Sequence, residues 1–305
     1  MTNRPRRIAI LASDSMWENG FGQQDYSRER DEQMGKLVPA FADRGLKLEL
    51  IRWREATEKG ASFDALLPLF VWDYFEGNEA DFVDQVQRAA QKTTVLNSPD
   101  LIVWNADKSY LEELKHKGAA VIPTVTVSKV DQEVVQSAFA KFNSDQLVIK
   151  PQVGGGAWRQ VLLNRTDKLP DPTQLPPGEA LIQPFLPSVV EEGEYSLIFF
   201  GGQFSHALVK RPKSGDYRIQ AIHGGTETAY QPTTAEQTAA ASILKLLPEL
   251  PLYARVDLLR GVDSELKLIE VELIEPYLYL PYAPGQAGQN LGAKNLAKAL
   301  SQRLS

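Results

Sequence analysis

The chain is organised around the stretch Gln146-Leu147-Val148-Ile149-Lys150-Pro151, which runs on into Gly154-Gly155-Gly156-Ala157-Trp158. An apolar run ends in a lysine, and a triple-glycine loop follows. A lysine at a strand end can place its ammonium group in a sheltered site, and glycines let backbone N–H groups approach an anion because no Cβ stands in the way. The same residues also fit a plain strand, a surface lysine and a flexible turn, because short glycine-rich motifs recur by chance. The rest of the sequence has to decide between these interpretations.

Composition excludes several classes of protein. The 305 residues carry a formal net charge of −6, and 43% are hydrophobic and 24% charged, which allows two or three packed units with ample core. The mild acidity and the lack of a basic patch interleaved with aromatic residues argue against a nucleic-acid partner. Because the chain has no cysteine, disulfides, thiolate catalysis and cysteine-ligated metal sites are excluded.

The N-terminal residues predict a strand. A basic start precedes the apolar run Ile8-Ala9-Ile10-Leu11, which is too short for a signal peptide and stops at Ser13-Asp14. No apolar stretch of the sequence is long enough to span a bilayer. We therefore expect a soluble, cytoplasmic protein with no membrane partner.

The first hundred residues alternate between apolar runs and amphipathic segments. Such alternation predicts an α/β layer with a mainly parallel sheet. The predicted strands are Arg7–Ala12, Leu46–Trp53 and Phe63–Trp72, and the predicted helices are Glu29–Arg44 and Glu79–Lys92.

The remainder of the chain is richer in strands. Asn105 is expected to cap a helix over Ala106–Lys117, and Pro123 places the strand Val121–Val127 at a sheet edge. Gly201-Gly202 predicts a tight hairpin. A further strand is expected over Tyr217–Ala221.

Common nucleotide and hydrolase motifs are missing. No GxxxxGK[ST] follows the glycine loop, and no GxGxxG follows the first strand. GxSxG and HExxH are also absent from the sequence. A P-loop, a dinucleotide fold, a serine hydrolase and a zinc protease are therefore unsupported.

An acidic hairpin is the strongest chemical pattern. The strand Arg255–Leu259 carries Asp257, and in the next strand Glu270 and Glu272 lie two residues apart, so they face the same side. Burying three carboxylates without partners would be very costly, so a cation is their natural complement, and oxygen ligands suit Mg²⁺. The alternative is that alternation merely places the carboxylates on the wet face of an antiparallel sheet.

Two further features are weaker. Lys108 and Lys150 lie on separate elements before the glycine loop, where each alone fits a surface charge. The segment Leu181–Leu186 ends a strand in a proline-containing extended stretch, whose backbone groups can bind the edge of an adenine. Glu191, a few residues on, can hold ribose hydroxyls, although an acidic solvated loop is the plainer interpretation.

In this order and spacing, the residues resemble the ATP-grasp superfamily over roughly residues 97–276. The resemblance implies an ATP-grasp fold of α/β and α+β class, with ATP held between two α+β subdomains. It implies an N-terminal parallel α/β domain over residues 1–104, a small subdomain with the glycine loop over 105–186, and a large subdomain with the magnesium and substrate sites over 187–305.

The resemblance also assigns roles to residues. It implies that the ATP-binding lysines are Lys108 and Lys150, and that the loop over the phosphates is formed by Gly154, Gly155, Gly156 and Trp158. It implies an adenine hinge at Gln183, Pro184 and Phe185 and a ribose ligand at Glu191. The implied ligands for Mg²⁺ or Mn²⁺ are Asp257, Glu270 and Glu272. Many members have asparagine where Glu272 stands, so its extra charge either strengthens cation binding or needs a nearby arginine.

Other segments are similar to the glutathione synthetase and RimK-type branch. Arg211 and the segment Gly215–Gly225 resemble a region where an arginine binds acyl and phosphate groups, and Arg218 is the first choice for that role and Arg255 the second. His223 is a candidate for proton transfer, with a structural histidine as the plainer alternative. Segments around Trp72 and Glu275, which we expect near the substrate, resemble a smaller group that includes the cyclo-ligase of D-cycloserine biosynthesis.

The resemblance implies an ATP- and Mg²⁺-dependent carboxylate–amine ligase that acts through an acyl phosphate on a small amino-acid-like substrate. Its partners would be a small carboxylate and an amine, and a homodimer is common in the superfamily. The alternative is a nucleotide-binding or regulatory protein with this fold and little turnover, since fold does not fix function. The aromatic-rich segments Trp17–Arg28, Trp72–Phe75 and Tyr277–Tyr282 are expected to line the substrate site or to pack between domains.

Overall fold

Three β-sheets organise the part of the chain that the computed structural model describes, which is residues 4–17, 26–220, 223–285 and 289–305. One sheet is parallel and lies in the N-terminal third. The other two are antiparallel and share the rest of the chain. None of the helices described is long and apolar enough to cross a bilayer.

The first sheet is parallel, with strand order β2-β1-β3-β4. Ile8–Ala12 and the whole of the third strand are buried, as expected for strands covered on both faces. The predicted α/β layer is therefore confirmed. Its strands are β1 (Arg6–Ala12), β2 (Leu46–Arg52), β3 (Ala65–Phe70) and β4 (Thr94–Val95), and its helices are α1 (Ser27–Ala42), α2 (Ala56–Lys59) and α3 (Glu79–Ala90).

Two helices connect this layer to the second sheet. They are α4 (Pro99–Ala106) and α5 (Tyr110–His116). The prediction that Asn105 caps a single helix is wrong, because Asn105 lies inside α4, which Ser98 caps by accepting a bond from the N–H of Leu101. The side chain of Asn105 is buried, donates to the carbonyl of Val271 and accepts from the N–H of Leu273. The predicted domain boundary after residue 104 thus falls inside a helix that is bonded to the third sheet.

The second sheet is small and carries the glycine loop. Its strand order is β5-β8-β6-β7, with every pair antiparallel. The edge position predicted from Pro123 is confirmed, although the strand begins only at Val125. The elements are β5 (Val125–Val127), α6 (Gln132–Phe142), β6 (Gln146–Pro151), β7 (Val161–Asn164) and β8 (Ala180–Pro184).

The third sheet is larger, with strand order β11-β10-β9-β12-β13, all antiparallel. Gly201 and Gly202 form the predicted hairpin turn, with φ values of 55° and 75° that a glycine adopts without strain. The elements are α7 (Ser188–Glu191), β9 (Glu194–Phe200), β10 (Gln203–Arg211), β11 (Thr226–Tyr230), α8 (Thr234–Leu244), β12 (Tyr253–Arg260), β13 (Leu266–Glu272) and α9 (Leu291–Arg303).

The strand predicted over Tyr217–Ala221 is wrong. Tyr217 to Gln220 form no strand, and Ala221 lies outside the described residues. The carboxylate of Asp216 accepts bonds from the backbone N–H groups of Tyr217 and Arg218, which holds the chain in a turn instead. The strand that pairs with β10 on the side away from β9 is β11, whose weakly apolar residues gave little periodicity.

The first and third sheets share one apolar core. Ile8 and Phe70 of the parallel sheet belong to the same buried cluster as Tyr253 of β12 and Leu280 beyond β13. Continuous burial of this kind fixes the two sheets relative to each other. The cavity described next opens beside this junction.

Candidate active site

A cavity of about 650 Å³ is lined by residues of the N-terminal layer, the small sheet and the large sheet. Most of the residues predicted for ATP, metal or substrate line it. They are Trp72, Lys108, Lys150, Gly154, Gly155, Gly156, Trp158, Gln183, Pro184, Phe185, Arg218, Arg255, Asp257, Glu270, Glu272 and Glu275.

Three predicted residues do not line the cavity. Glu191 is exposed at the end of α7, Arg211 is exposed at the end of β10, and His223 lies half-buried outside the lining. Side chains alternate along a strand, so Lys210 faces the cavity while Arg211 faces away. Glu194, which opens β9, faces the cavity where Glu191 was expected.

One end of the cavity is apolar and lies beside the predicted adenine hinge. Gln183 is buried and donates from Nε2 to Oγ1 of Thr124 at 2.9 Å. The N–H of Phe185 donates to the carbonyl of Gln146 at 2.9 Å, so it is already used by the sheet. The N–H of Leu186, by contrast, donates to no backbone group in the described part of the chain. This N–H belongs to the segment Leu181–Leu186, whose backbone groups were expected to bind the edge of an adenine.

The glycine loop lies against both Lys108 and the N-terminal layer. Nζ of Lys108 donates to the carbonyl of Gly154 and lies 3.1 Å from Oε1 of Glu270. A Cβ on Gly155 would lie 2.8 Å from the ring of Phe75, so this close approach requires glycine. The backbone N–H groups of the loop therefore border the same space as the lysine ammonium groups.

Lys150, the last residue but one of β6, lies at the wall of the cavity. Burial lowers the pKa of its ammonium group, and the positive charge of Lys108 adds to this effect, while Glu270 opposes it. Two lysines from separate elements thus face one region, which is an arrangement suited to an anion with several charges.

The large sheet presents a network of charges on one face. β12 and β13 pair so that Asp257 lies opposite Glu270 and Arg255 lies opposite Glu272, which puts all four on the same side. Nε of Arg255 lies 3.0 Å from Oδ2 of Asp257, and its Nη2 contacts Oε1 of Glu272. Oγ of Ser196 donates to Oδ1 of Asp257 at 2.5 Å. Each acid of this face therefore has a fixed partner.

Lys210 and Glu194 complete this network, although the sequence analysis did not assign them. Nζ of Lys210 lies 2.5 Å from Oε1 of Glu194 and 3.6 Å from Oδ1 of Asp257, and all three side chains are buried. Burial lowers the pKa of Lys210, but the charges of Asp257 and Glu194 outweigh it and raise the pKa. Burial also raises the pKa of Glu194. Glu194 begins the otherwise uncharged strand β9 and Lys210 lies next to the last residue of β10, so no alternation of charges marked either residue in the sequence.

The predicted trio of metal ligands is not assembled. Within residues 4–17, 26–220, 223–285 and 289–305, no group of three or more His, Cys, Asp or Glu is arranged to hold a metal ion. Glu272 is committed to Arg255, which is the nearby arginine that its extra charge requires. Asp257 and Glu270 also have cationic partners, but they lie opposite each other on the paired strands, and Mg²⁺ commonly uses only one or two carboxylates together with phosphate oxygens. These two residues therefore fit a magnesium ion that a nucleotide brings with it.

Electrostatics distinguish the members of this acidic face. Burial opposes ionisation of Asp257, but Arg255 and Lys210 outweigh it and lower its pKa. Burial raises the pKa of Glu272 to about 7, with Asp257 and Glu270 adding to the effect and Arg255 opposing it. The surroundings thus hold Asp257 in its charged form more firmly than Glu272.

The loop after β10 covers the hinge. Arg218 lines the cavity and pairs with Asp216, with Nη2 2.9 Å from Oδ2. The ring of Tyr217 lies 6.4 Å from that of Phe185, edge to face. Burial lowers the pKa of His223, and Arg218 adds to this effect. Arg218 is therefore placed at the cavity rim, whereas Arg255 lies deep inside it.

The remaining end of the cavity is aromatic and acidic. The ring of Trp72 lies 4.9 Å from that of Tyr26 and 6.0 Å from that of Tyr277, and its Nε1 donates to the carbonyl of Glu275 at 3.1 Å. Tyr26, Tyr277 and Tyr279 line the space. Of the three aromatic segments predicted to line a substrate site, residues 18–25 lie outside the described part of the chain. The other two contribute side chains to the lining.

The first part of the chain matches a known family model. Residues 8–97 match the family described as the N-terminal domain of the D-cycloserine synthetase DcsG. The chain is also similar to the cycloserine biosynthesis protein DcsG of Streptomyces lavendulae, with 29% identity over 291 residues that cover 90% of this chain and 94% of that protein. The crystal structure of the D-cycloserine synthetase DcsG matches with a TM-score of 0.80 and 27% identity, covering 98% of this chain and 100% of the other.

More distant ligases share the fold. The D-alanine–D-alanine ligase of Bacillus anthracis, solved with ATP, has a TM-score of 0.66 and 15% identity, with 98% of both chains covered. The ATP-grasp ligase PsnB, solved with a minimal precursor, Mg and ADP, has a TM-score of 0.62 and 15% identity, covering 97% of this chain and 98% of that one. At these identities the likeness shows the fold alone. The predicted fold class is thereby confirmed.

Proposed function

We propose that this chain is an ATP-grasp ligase that uses Mg-ATP to activate a small carboxylate and join it to an amine. The observation that carries the proposal is one cavity in which Lys108, Lys150 and Lys210 face the carboxylates of Asp257 and Glu270. Such a set of cations and metal-binding acids suits a triphosphate and its metal.

The apolar end of the cavity suits an adenine base. Ile122, Val148 and Leu259 supply flat apolar walls, and the carbonyl of Pro184 and the N–H of Leu186 lie at the hinge between the sheets. Adenine offers one donor and one acceptor along its edge, which such a carbonyl and N–H would satisfy. We propose Glu194 for the ribose hydroxyls in place of Glu191, because only Glu194 faces the cavity.

The phosphates would extend toward the lysines and the glycine loop. Lys108 and Lys150 would contact phosphate oxygens, and the N–H groups of Gly154–Gly156 would approach them closely. A magnesium ion held by Asp257 and Glu270 would screen the phosphate charges and align the reacting oxygens. Binding there requires Lys108 to exchange its contact with Glu270 for one with phosphate.

The chemistry needs no side-chain nucleophile. An oxygen of the substrate carboxylate attacks the γ-phosphorus, the bond to the β–γ bridging oxygen breaks, and ADP leaves. An amine then attacks the acyl carbon, the bond to the phosphate oxygen breaks, and phosphate and the amine proton leave. Arg255 and Lys210 are placed to stabilise the negative charge that develops on the acyl oxygens, and Arg218 would assist from the rim.

Similarity to DcsG supports a small amino-acid-like substrate. The test is release of ADP and phosphate from Mg-ATP with a panel of amino acids, small carboxylates and amines, which also covers intramolecular cyclisation. Release that depends on one carboxylate is the expected result. Tight Mg-ATP binding without release for any combination would instead favour a regulatory nucleotide-binding protein.

A further inference from the structure

We propose that the aromatic end of the cavity, formed by Trp72, Tyr277, Glu32, Glu227 and Glu275, binds an ammonium group of the substrate. The inference rests on the proposed function, because it gives a charge to part of that substrate. It differs in kind from the ATP and metal sites, since no phosphate contact is involved. We call this group of five residues the ammonium end.

The carboxylates of the ammonium end lack a cation in contact with them among the described residues. In the described part of the chain, neither Glu32, Glu227 nor Glu275 forms an ion pair with a lysine or arginine. Glu32 accepts a bond from the hydroxyl of Tyr277, and Glu227 accepts one from Tyr282. These are neutral donors, so the three carboxylates lack a positive partner. A cation entering this end would supply it.

Aromatic rings form one wall of the ammonium end. Trp72 is surrounded by Tyr26 and Tyr277 at ring distances of 4.9 and 6.0 Å, and Tyr277 lies 4.8 Å from Tyr279. The rings border the cavity beside Glu275. Aromatic faces attract alkylammonium groups and contribute most when the cation is desolvated. A bare metal ion would instead prefer oxygen ligands on all sides.

Glu275 lies just beyond the end of β13, whose last residue is Glu272. Glu275 follows Glu272 by three residues, so the ammonium end adjoins the face that carries Arg255 and Lys210. The ring of Tyr279 lies 5.6 Å from the guanidinium carbon of Arg255 and 5.7 Å from Nζ of Lys210. A short zwitterion therefore fits with its carboxylate on the cations and its ammonium group among the glutamates. A protonated ammonium group has no lone pair, so it serves recognition and is not the attacking amine.

Burying the carboxylates of the ammonium end costs free energy when no cation is bound there. Burial raises the pKa of Glu275 well above its usual value, and the charge of Glu272 adds to the effect. The Glu32 carboxylate is more exposed, so Glu275 and Glu227 are the inner members of the group. The inner members should therefore contribute most to ammonium binding.

The test compares two probes of nearly equal shape on the full chain saturated with Mg-ADP. Glycinamide carries a primary ammonium group, and glycolamide carries a hydroxyl in its place. Titration calorimetry should show that glycinamide binds at least about tenfold more tightly than glycolamide, which corresponds to about 1.4 kcal/mol. Equal affinities, or no glycinamide binding at millimolar concentration, would overturn the proposal.

Variants assign the effect to this end of the cavity. Glu275→Gln and, independently, Glu227→Gln should each reduce the preference for glycinamide several-fold, and Trp72→Leu should weaken it as well. Glu133→Gln removes an exposed carboxylate of α6 and should leave it unchanged. Unaltered preference in both cavity variants would place the ammonium group elsewhere.

The two proposals fail in distinguishable ways. Mg-ADP affinity and ADP release report on the proposed function and do not depend on glycinamide. Carboxylate-dependent ADP release without any preference for glycinamide would remove the ammonium site and leave the ligase intact. If the wild-type chain does not bind Mg-ADP, the proposed function itself is wrong.

Discussion

Two acidic regions of one cavity differ in how their charges are compensated. On the large sheet, Asp257 and Glu272 share Arg255, and Asp257 also lies near Lys210. At the ammonium end, Glu227 and Glu275 have no cationic partner among the described residues. The difference teaches that a carboxylate's role follows from its neighbours, because a paired acid keeps its charge while an unpaired buried acid needs a ligand or a proton.

The largest effect should come from the centre of the paired region. Asp257→Asn removes the carboxylate that faces both Arg255 and Glu270 and that we assign to the metal. We expect ADP release to fall by at least about a hundredfold, in line with the loss of a group that stabilises transition-state charge. Steady-state kinetics measure it, and Asp263→Asn, in an exposed turn, is the matched control. Wild-type turnover in Asp257→Asn would refute the metal assignment.

The next comparison uses neighbours on opposite faces of β10. Lys210→Met should lower turnover by about a hundredfold, because Glu194 and Asp257 lose their shared cation inside the cavity. Arg211→Met should stay within about twofold of wild type, because Arg211 is exposed and faces away. Turnover and thermal denaturation are measured together, so that misfolding is separated from lost catalysis. Equal losses in the two variants would mean that the strand faces are assigned wrongly.

A smaller effect separates two glutamates three residues apart. Glu194→Gln should raise the Kd for Mg-ATP about tenfold, because a buried carboxylate that we assign to ribose loses its charge. Glu191→Gln should bind Mg-ATP like wild type, since Glu191 is exposed outside the cavity. Equilibrium binding with a fluorescent ATP analogue measures both. The reverse pattern would restore the assignment made from the sequence.

The smallest effect concerns stability and its dependence on pH. The folded-state pKa of Glu275 is raised by burial, so the folded state holds this proton to higher pH than the unfolded state does. Stability contributed by the protonated group is therefore present below the unfolded pKa of about 4.5 and is lost as pH rises above it. Glu275→Gln should remove this decline, so that the variant gains unfolding free energy relative to wild type at about pH 8, because glutamine has no proton to lose. Urea denaturation at about pH 5 and about pH 8 measures it, and an unchanged pH slope would contradict the account.

Periodic patterns predicted much of the fold and part of the site. Buried apolar runs identified the parallel layer, and alternation placed Asp257, Glu270 and Glu272 on one face, as the pairing of β12 with β13 confirms. The glycine loop and its two lysines also lie together at the cavity. These features depend on local sequence patterns, so they could be predicted from the sequence alone.

Other features depended on where each strand begins and on partners distant in sequence. Glu191 lies in α7 and Glu194 begins β9, so the position where the strand starts decides which of the two lines the cavity. In β10, a change of strand register by one residue would exchange the directions of Lys210 and Arg211. The amide of Asn105 was interpreted as a helix cap, but its partners are Val271 in β13 and Leu273 just after it, more than 160 residues away. The arginine that holds Glu272 was likewise visible only once two strands were paired.

Transfer of oxygen from substrate to phosphate tests the central claim most directly. The carboxylate that supports ADP release would be labelled with ¹⁸O in both carboxyl oxygens, and the released phosphate would be analysed by mass spectrometry or ³¹P NMR. Activation through an acyl phosphate predicts one ¹⁸O atom in each phosphate, because the attacking oxygen leaves with the phosphorus. Phosphate without ¹⁸O, at undiminished product formation, would contradict the proposed mechanism.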